Sequence, residues 1–110
     1  MARPLRLKYE NGIYHVMNRG AGRKNIYTNN EHRMKFLEIM GDATIVFRIE
    51  ILCYCLMDNH YHLLIKTPQA NLSCAMRHIN GVYTQFYNRT ERTDGSIFRG
   101  RYRAIVVEVG

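Results

Sequence analysis

The run Leu56-Met57-Asp58-Asn59-His60-Tyr61-His62-Leu63-Leu64-Ile65-Lys66 constrains this chain more than any other segment. The residues flanking the His-Tyr-His centre are β-rich and apolar, so the stretch reads as a buried strand. Side chains of a strand alternate between faces, so His60 and His62 project together while Tyr61, Leu63 and Ile65 go to the other side. Two neutral imidazoles converging from one rigid strand make a ready ligand pair for a divalent cation. Two partly buried, hydrogen-bonded histidines would give the same tripeptide, so the choice rests on the remainder of the chain.

A chain of 110 residues, 46% hydrophobic, suffices for one folded domain (residues 1–110) with a real core and is too short for two. No apolar stretch approaches the length of a membrane span. The opening Met1-Ala2-Arg3-Pro4-Leu5-Arg6 is basic but leads into no apolar h-region, which argues against a secretory signal. Cys53, Cys55 and Cys74 are too few and too odd in number for a disulfide framework, and a cytoplasmic, reducing setting fits them best. Cys53 and Cys55 would share a strand face, where small buried thiols are expected. Sixteen Lys and Arg against nine Asp and Glu leave a net charge of +7, which favours a polyanionic partner, most simply nucleic acid.

Gly12 to Asn18 reads as a first strand, closed by the loop Arg19-Gly20-Ala21-Gly22-Arg23-Lys24. Thr28-Asn29-Asn30-Glu31 has the form of a capping box with Thr28 at the N-cap. Phe36, Leu37, Met40, Ala43, Thr44 and Phe47 then recur at helical spacing to about Arg48. Ile49 to Met57 and His60 to Lys66 make an antiparallel hairpin about the turn-forming Asp58-Asn59. Asn71 caps a second helix with its apolar stripe at Leu72, Ala75, Met76, Ile79, Tyr83 and Phe86. Residues 88–96 read as a loop, and Ile97 to Val109 as a last strand. Strand, helix, strand, strand, helix, strand is the order of an α+β, ferredoxin-like fold. Its four-stranded, largely antiparallel sheet carries two helices on one face and leaves the other free for chemistry.

Phe98-Arg99-Gly100-Arg101-Tyr102-Arg103-Ala104 is the second strong signal. On a strand Arg99, Arg101 and Arg103 would share a face as a guanidinium row able to grip phosphates bidentately, with Phe98 and Tyr102 on the other side. A solvent-facing basic edge strand is the alternative. Arg19, Arg23 and Lys24 flank the glycines of the first loop, either as backbone-phosphate contacts or as a solvated turn. Tyr83 continues an apolar stripe and is expected in the core; Asp58 is expected to be a turn residue rather than a third ligand. His15 is equally compatible with a satisfied core histidine. No triad of the serine or cysteine hydrolase kind and no Cys-x-x-Cys zinc motif is present.

Four ordered segments carry a resemblance. They are Tyr14-His15-Val16-Met17-Asn18-Arg19-Gly20, the run from Leu56 to Ile65, Asn80-Gly81-Val82-Tyr83-Thr84-Gln85, and Phe98-Arg99-Gly100-Arg101-Tyr102. From about Tyr9 to Glu108 the chain resembles the single-tyrosine HUH transposases, in particular the REP-associated tyrosine transposase branch. The resemblance implies a nuclease that cuts and rejoins single-stranded or hairpin DNA. The HUH histidines, here His60 and His62, would bind Mg²⁺ or Mn²⁺, and a tyrosine would attack the scissile phosphate to give a 5′-phosphotyrosine and a free 3′-OH.

One departure stands out. In that family the nucleophilic tyrosine lies on a later helix, in a motif like Arg-Tyr-Ile-x-Leu-Asn-Pro whose asparagine is a further metal ligand. The sequence stops at Gly110 with no such motif upstream, so no tyrosine inherits the catalytic role and the expectation is a chain defective in cleavage. A truncated gene product, a trimmed chain and a protein that keeps binding but has lost cutting all fit. The rival from another class is a non-enzymatic nucleic-acid-binding module on a ferredoxin-like sheet, for which 11% aromatics and excess charge suffice. A homodimer is open under both.

Overall fold

The structure, a computed structural model, describes residues 10–108. The basic N-terminal residues and Val109 of the expected last strand lie outside the described residues. The chain runs β1 (Gly12–Arg19), α1 (Asn30–Val46), β2 (Glu50–Met57), β3 (His60–Thr67), α2 (Leu72–Glu91) and β4 (Arg103–Glu108). The strands form one sheet in the order β2-β3-β1-β4, every neighbouring pair antiparallel. Both helices bury their apolar stripes against one face of that sheet, which is the ferredoxin-like arrangement expected from the element order. Among the described residues no helix is long and apolar enough to cross a membrane.

The central pair sets the layout. β1 and β3 are in continuous register from Gly12 opposite Thr67 to Arg19 opposite His60. Tyr14 and Val16 of β1 and Tyr61, Leu63 and Ile65 of β3 are buried beneath the helices. Burying each such side chain contributes about 1.5–3 kcal/mol. The alternate residues Ile13, His15, Met17, His60, His62 and Leu64 are half-buried on the face the helices leave open.

The helices meet this floor with Phe36, Ile39, Met40 and Ala43 of α1 and with Leu72, Ala75, Met76, Ile79, Tyr83 and Tyr87 of α2. Tyr61 donates its hydroxyl to Asn80 Oδ1 at 2.7 Å, and Tyr83 donates to the Ile26 carbonyl, so two core phenols are held by α2 and by the loop before α1. The N-cap of α1 is Asn29 rather than Thr28: Asn29 Oδ1 accepts from the His32 amide at 2.9 Å. Glu31 therefore falls one position short of where a capping box needs it, and the Thr28 hydroxyl turns to His32 Nδ1 at 3.2 Å. Asn71 stands at the N-cap of α2 without capping it; its Nδ2 donates to the Phe47 carbonyl at 2.7 Å and ties the two helices together.

Two further expectations are corrected. α2 does not stop before Asn88 but continues to Glu91, because Tyr87 extends its buried stripe and the polar residues beyond face outward until Arg92 takes a left-handed conformation. Cys53 and Cys55 are exposed, not buried. Their partners across the ladder are Leu64 and His62, so they lie on the open face of an edge strand.

Burial raises the pKa of Tyr27, Tyr61 and Tyr83 above the ordinary tyrosine value. Folding thus favours their neutral form, and the stability this brings is complete below the unfolded tyrosine value of about 10 and lost as pH climbs past it. Urea midpoints are expected to hold from pH 7 to about 10 and to fall steeply by about pH 11. A midpoint unchanged through that window would contradict the burial of these phenols.

Candidate metal and nucleic-acid site

β3 starts with His60 immediately after the Asp58-Asn59 turn, and His62 follows on the same face. Their rings stand edge to face with centroids 5.0 Å apart. Each has its Nδ1 engaged: His60 Nδ1 lies 2.8 Å from Asn59 Oδ1, and His62 Nδ1 lies 3.0 Å from His15 Nε2. That leaves both Nε2 atoms without a partner among the described residues. His15 is thus not a core histidine; it stacks on His62 across the open face. Burial, helped by the neighbouring His60 and His15, lowers the His62 pKa from the usual imidazole value, a shift that favours the neutral, ligating form.

The donor set fits a divalent cation, since two imidazoles share one rigid face and the space beyond them is open to oxygen ligands. Among the described residues no cluster of three or more His, Cys, Asp or Glu forms such a site, so the protein side amounts to two nitrogens. Asp58 does not join them: it is exposed and paired with Arg33.

Next to the histidines lies a cavity of about 750 Å³ lined by the five arginines Arg19, Arg23, Arg99, Arg101 and Arg103 together with His60. The sheet brings them together. Arg19 stands opposite His60 in the ladder, and Arg103 stands opposite Met17, whose other neighbour is His62. The expected guanidinium row is corrected in its cause, because β4 begins only at Arg103, and Arg99 and Arg101 lie in the irregular segment before it. That segment is fastened to the end of β1 by a single bridge of Gly20 with Phe98, by the Arg99 amide on the Arg19 carbonyl at 2.9 Å, and by Asn18 Nδ2 on the Gly100 carbonyl at 3.1 Å. Phe98 and Tyr102 are buried on the inner side, as expected.

Lys24 does not line the cavity; its ammonium sits 5.5 Å from the centre of the Tyr87 ring. Among the described residues no carboxylate lines it either, and all five arginines are exposed. Such a concentration of like charge suits a ligand with several phosphates. Asn18 and Asn59 also line the cavity and were missed in the sequence; their only signal there was adjacency to Arg19 and His60. None of the described tyrosines stands on the histidine face. Tyr14, Tyr27, Tyr61, Tyr83 and Tyr87 are core residues, Tyr102 reaches Ser73 of α2 at 3.1 Å, and Tyr54 pairs with the inward-facing Leu63.

Residues 8–109 match the family model of IS200-like transposases, and the chain belongs to that family. Its fold is similar to that of a REP-associated tyrosine transposase solved bound to a REP hairpin, with a TM-score of 0.80 at 14% identity. That match covers 100% of this chain and 64% of the other, so this chain spans just under two thirds of that relative's length. A transposase-like protein of Deinococcus radiodurans R1 is similar with a TM-score of 0.70 at 17% identity, covering 98% of this chain and 85% of the other. No curated protein matches the sequence significantly.

Gly20 joins the two halves of the site. Its amide donates to the Asn59 carbonyl at 2.9 Å, its carbonyl accepts from the Arg23 amide at 3.1 Å, and a Cβ there would stand 2.2 Å from the Lys24 backbone oxygen. Gly20→Ala is expected to push the 20–24 loop off the hairpin turn, with a loss of about 1–3 kcal/mol in urea unfolding and shifted Arg23 and Asn59 amide resonances. Wild-type stability with both resonances unmoved would contradict the close approach.

Proposed function

We propose that this chain binds single-stranded or hairpin DNA along its arginine cavity and holds Mg²⁺ or Mn²⁺ through His60 and His62, as the DNA- and cation-binding part of a strand-cutting and rejoining transposase. The observation that carries this reading is that His60 lines the same cavity as the five arginines, so a phosphate gripped there lies against one of the two cation ligands. A bound cation would supply charge neutralisation at the phosphoryl oxygens of the scissile phosphate. Arg19 on β1 and Arg103 on β4, both on the same side of the histidine strand, hold the adjoining phosphates by bidentate hydrogen bonds and keep the strand in register. The lowered pKa of His62 favours the neutral ring, whose bare nitrogen has a lone pair for ligation.

Among the described residues no tyrosine hydroxyl stands on this face. Because the described tyrosines point into the core or away from the histidines, the chain is proposed to bind DNA without cutting it unaided. This keeps the binding-module reading in play, and the two differ in their dependence on metal.

Two experiments test the proposal. Mn²⁺ titrated into wild type and into the His60→Ala, His62→Ala double variant is expected to bind only wild type measurably; equal binding by both would remove the cation assignment. Hairpin-DNA affinity measured across a salt series should fall steeply for wild type. Each arginine removed from Arg99, Arg101 and Arg103 should lower the log–log slope by roughly 0.7. A triple alanine variant with wild-type affinity and slope would move the DNA path away from the cavity.

A further inference from the structure

The histidine pair and the arginine cavity meet at Asn59, which belongs to neither motif. Its backbone carbonyl accepts the Gly20 amide at 2.9 Å, its Nδ2 faces the Arg23 carbonyl at 3.4 Å, and its Oδ1 faces His60 Nδ1 at 2.8 Å. A carbonyl can only accept, so Arg23 fixes which end of the amide is NH₂, and the oxygen is left for the imidazole. His60 Nδ1 must then carry the ring proton, and in the neutral ring Nε2 keeps its lone pair.

The second histidine has an equivalent arrangement. His62 Nδ1 is 3.0 Å from His15 Nε2, with the rings stacked at 20°. Of the two ways to place the proton, only donation from His62 Nδ1 to His15 Nε2 leaves His62 Nε2 bare. An imidazole in water with no partner at Nδ1 carries its proton mainly on Nε2, the nitrogen a cation needs. Both rings therefore sit against a group that can enforce the opposite tautomer, one on the hairpin turn and one on β1.

We propose that Asn59 and His15 are positioning residues that lock His60 and His62 as Nδ1–H tautomers and so present both Nε2 lone pairs to a divalent cation, with Asn59 also tying the Arg23 loop to that ligand. This rests on the cation reading above. Partners of this kind behind metal-bound imidazoles alter affinity by about 10–100-fold. Asn59→Leu and His15→Leu should each weaken Mn²⁺ binding by about that factor. Asn59→Asp restores the acceptor for His60 while removing the donor to Arg23, and His15→Gln restores an acceptor of similar reach for His62.

The test combines Mn²⁺ titration followed by electron paramagnetic resonance with long-range ¹H–¹⁵N spectra of the histidine rings in the metal-free protein, and circular dichroism melts to establish folding. Wild type should show bare Nε2 on His60 and His62. Each leucine variant should move the proton to Nε2 of its own partner histidine alone, with the weakened Mn²⁺ binding, and each rescue variant should restore both. Leucine variants that are folded and bind Mn²⁺ like wild type, or rings already protonated on Nε2 in wild type, would overturn the proposal. Wild type binding Mn²⁺ no better than the His60→Ala, His62→Ala variant would instead overturn the cation reading and positioning with it. A leucine variant that melts early but whose rescue variant regains stability without regaining the tautomer would also overturn it, since the role would then be structural.

Discussion

The antiparallel ladder between β1 and β3 holds together two surfaces that share no chemistry. From Gly12 opposite Thr67 to Arg19 opposite His60 its register is unbroken, and each residue along it is assigned to a face by parity alone. Even-numbered residues of β1 and odd-numbered residues of β3 floor a core closed by α1 and α2. The residues between them carry His15, His60 and His62. A one-residue slip of β3 would turn His60 and His62 into the core and Tyr61 and Leu63 into water, so the core energy that fixes the register also fixes the site. The register thus fixes the face on which the ligand pair stands, and the contacts of Asn59 and His15 set how each ring is presented there.

The arginine cavity is built differently. Only Arg19 and Arg103 are held by regular strands; Arg23, Arg99 and Arg101 come from irregular segments pinned to the end of β1 by a few backbone and amide hydrogen bonds. Two like charges at about 4 Å cost about 1 kcal/mol even in bulk water, and here five guanidiniums gather with no carboxylate among the described lining residues to offset them. Solvent exposure keeps that cost bearable, and a polyanion would relieve it.

How much of this was legible in the sequence follows from which residues obey a period. The alternation in β1 and β3 and the stripe of α2 are strict, and from them the ferredoxin-like order and the shared face of His60 and His62 could be read directly. The arginine row was read from the same period of two, yet the chain is not a strand at Arg99 and Arg101; those residues join the cavity because Gly20, Asn18 and Arg19 fasten their segment from across the sheet. Contacts of that kind leave no periodic trace. Cys53 and Cys55 were expected to be buried for want of knowing that β2 is an edge strand, and Lys24 was grouped with Arg23 although Tyr87 draws it to the other side of the loop. Asn59 and His15 were the least legible of all, since their roles depend on which ring nitrogen each one faces.

The central claim is that cation and phosphate share one site at the start of β3, and ³¹P spectra of a hairpin oligonucleotide bound to the protein test it most directly. Mn²⁺ added at a fraction of an equivalent should broaden the resonance of one phosphate far more than the others, and the effect should vanish in the His60→Ala, His62→Ala variant while the DNA stays bound. Uniform broadening along the oligonucleotide, or selective broadening that survives the double variant, would contradict the account.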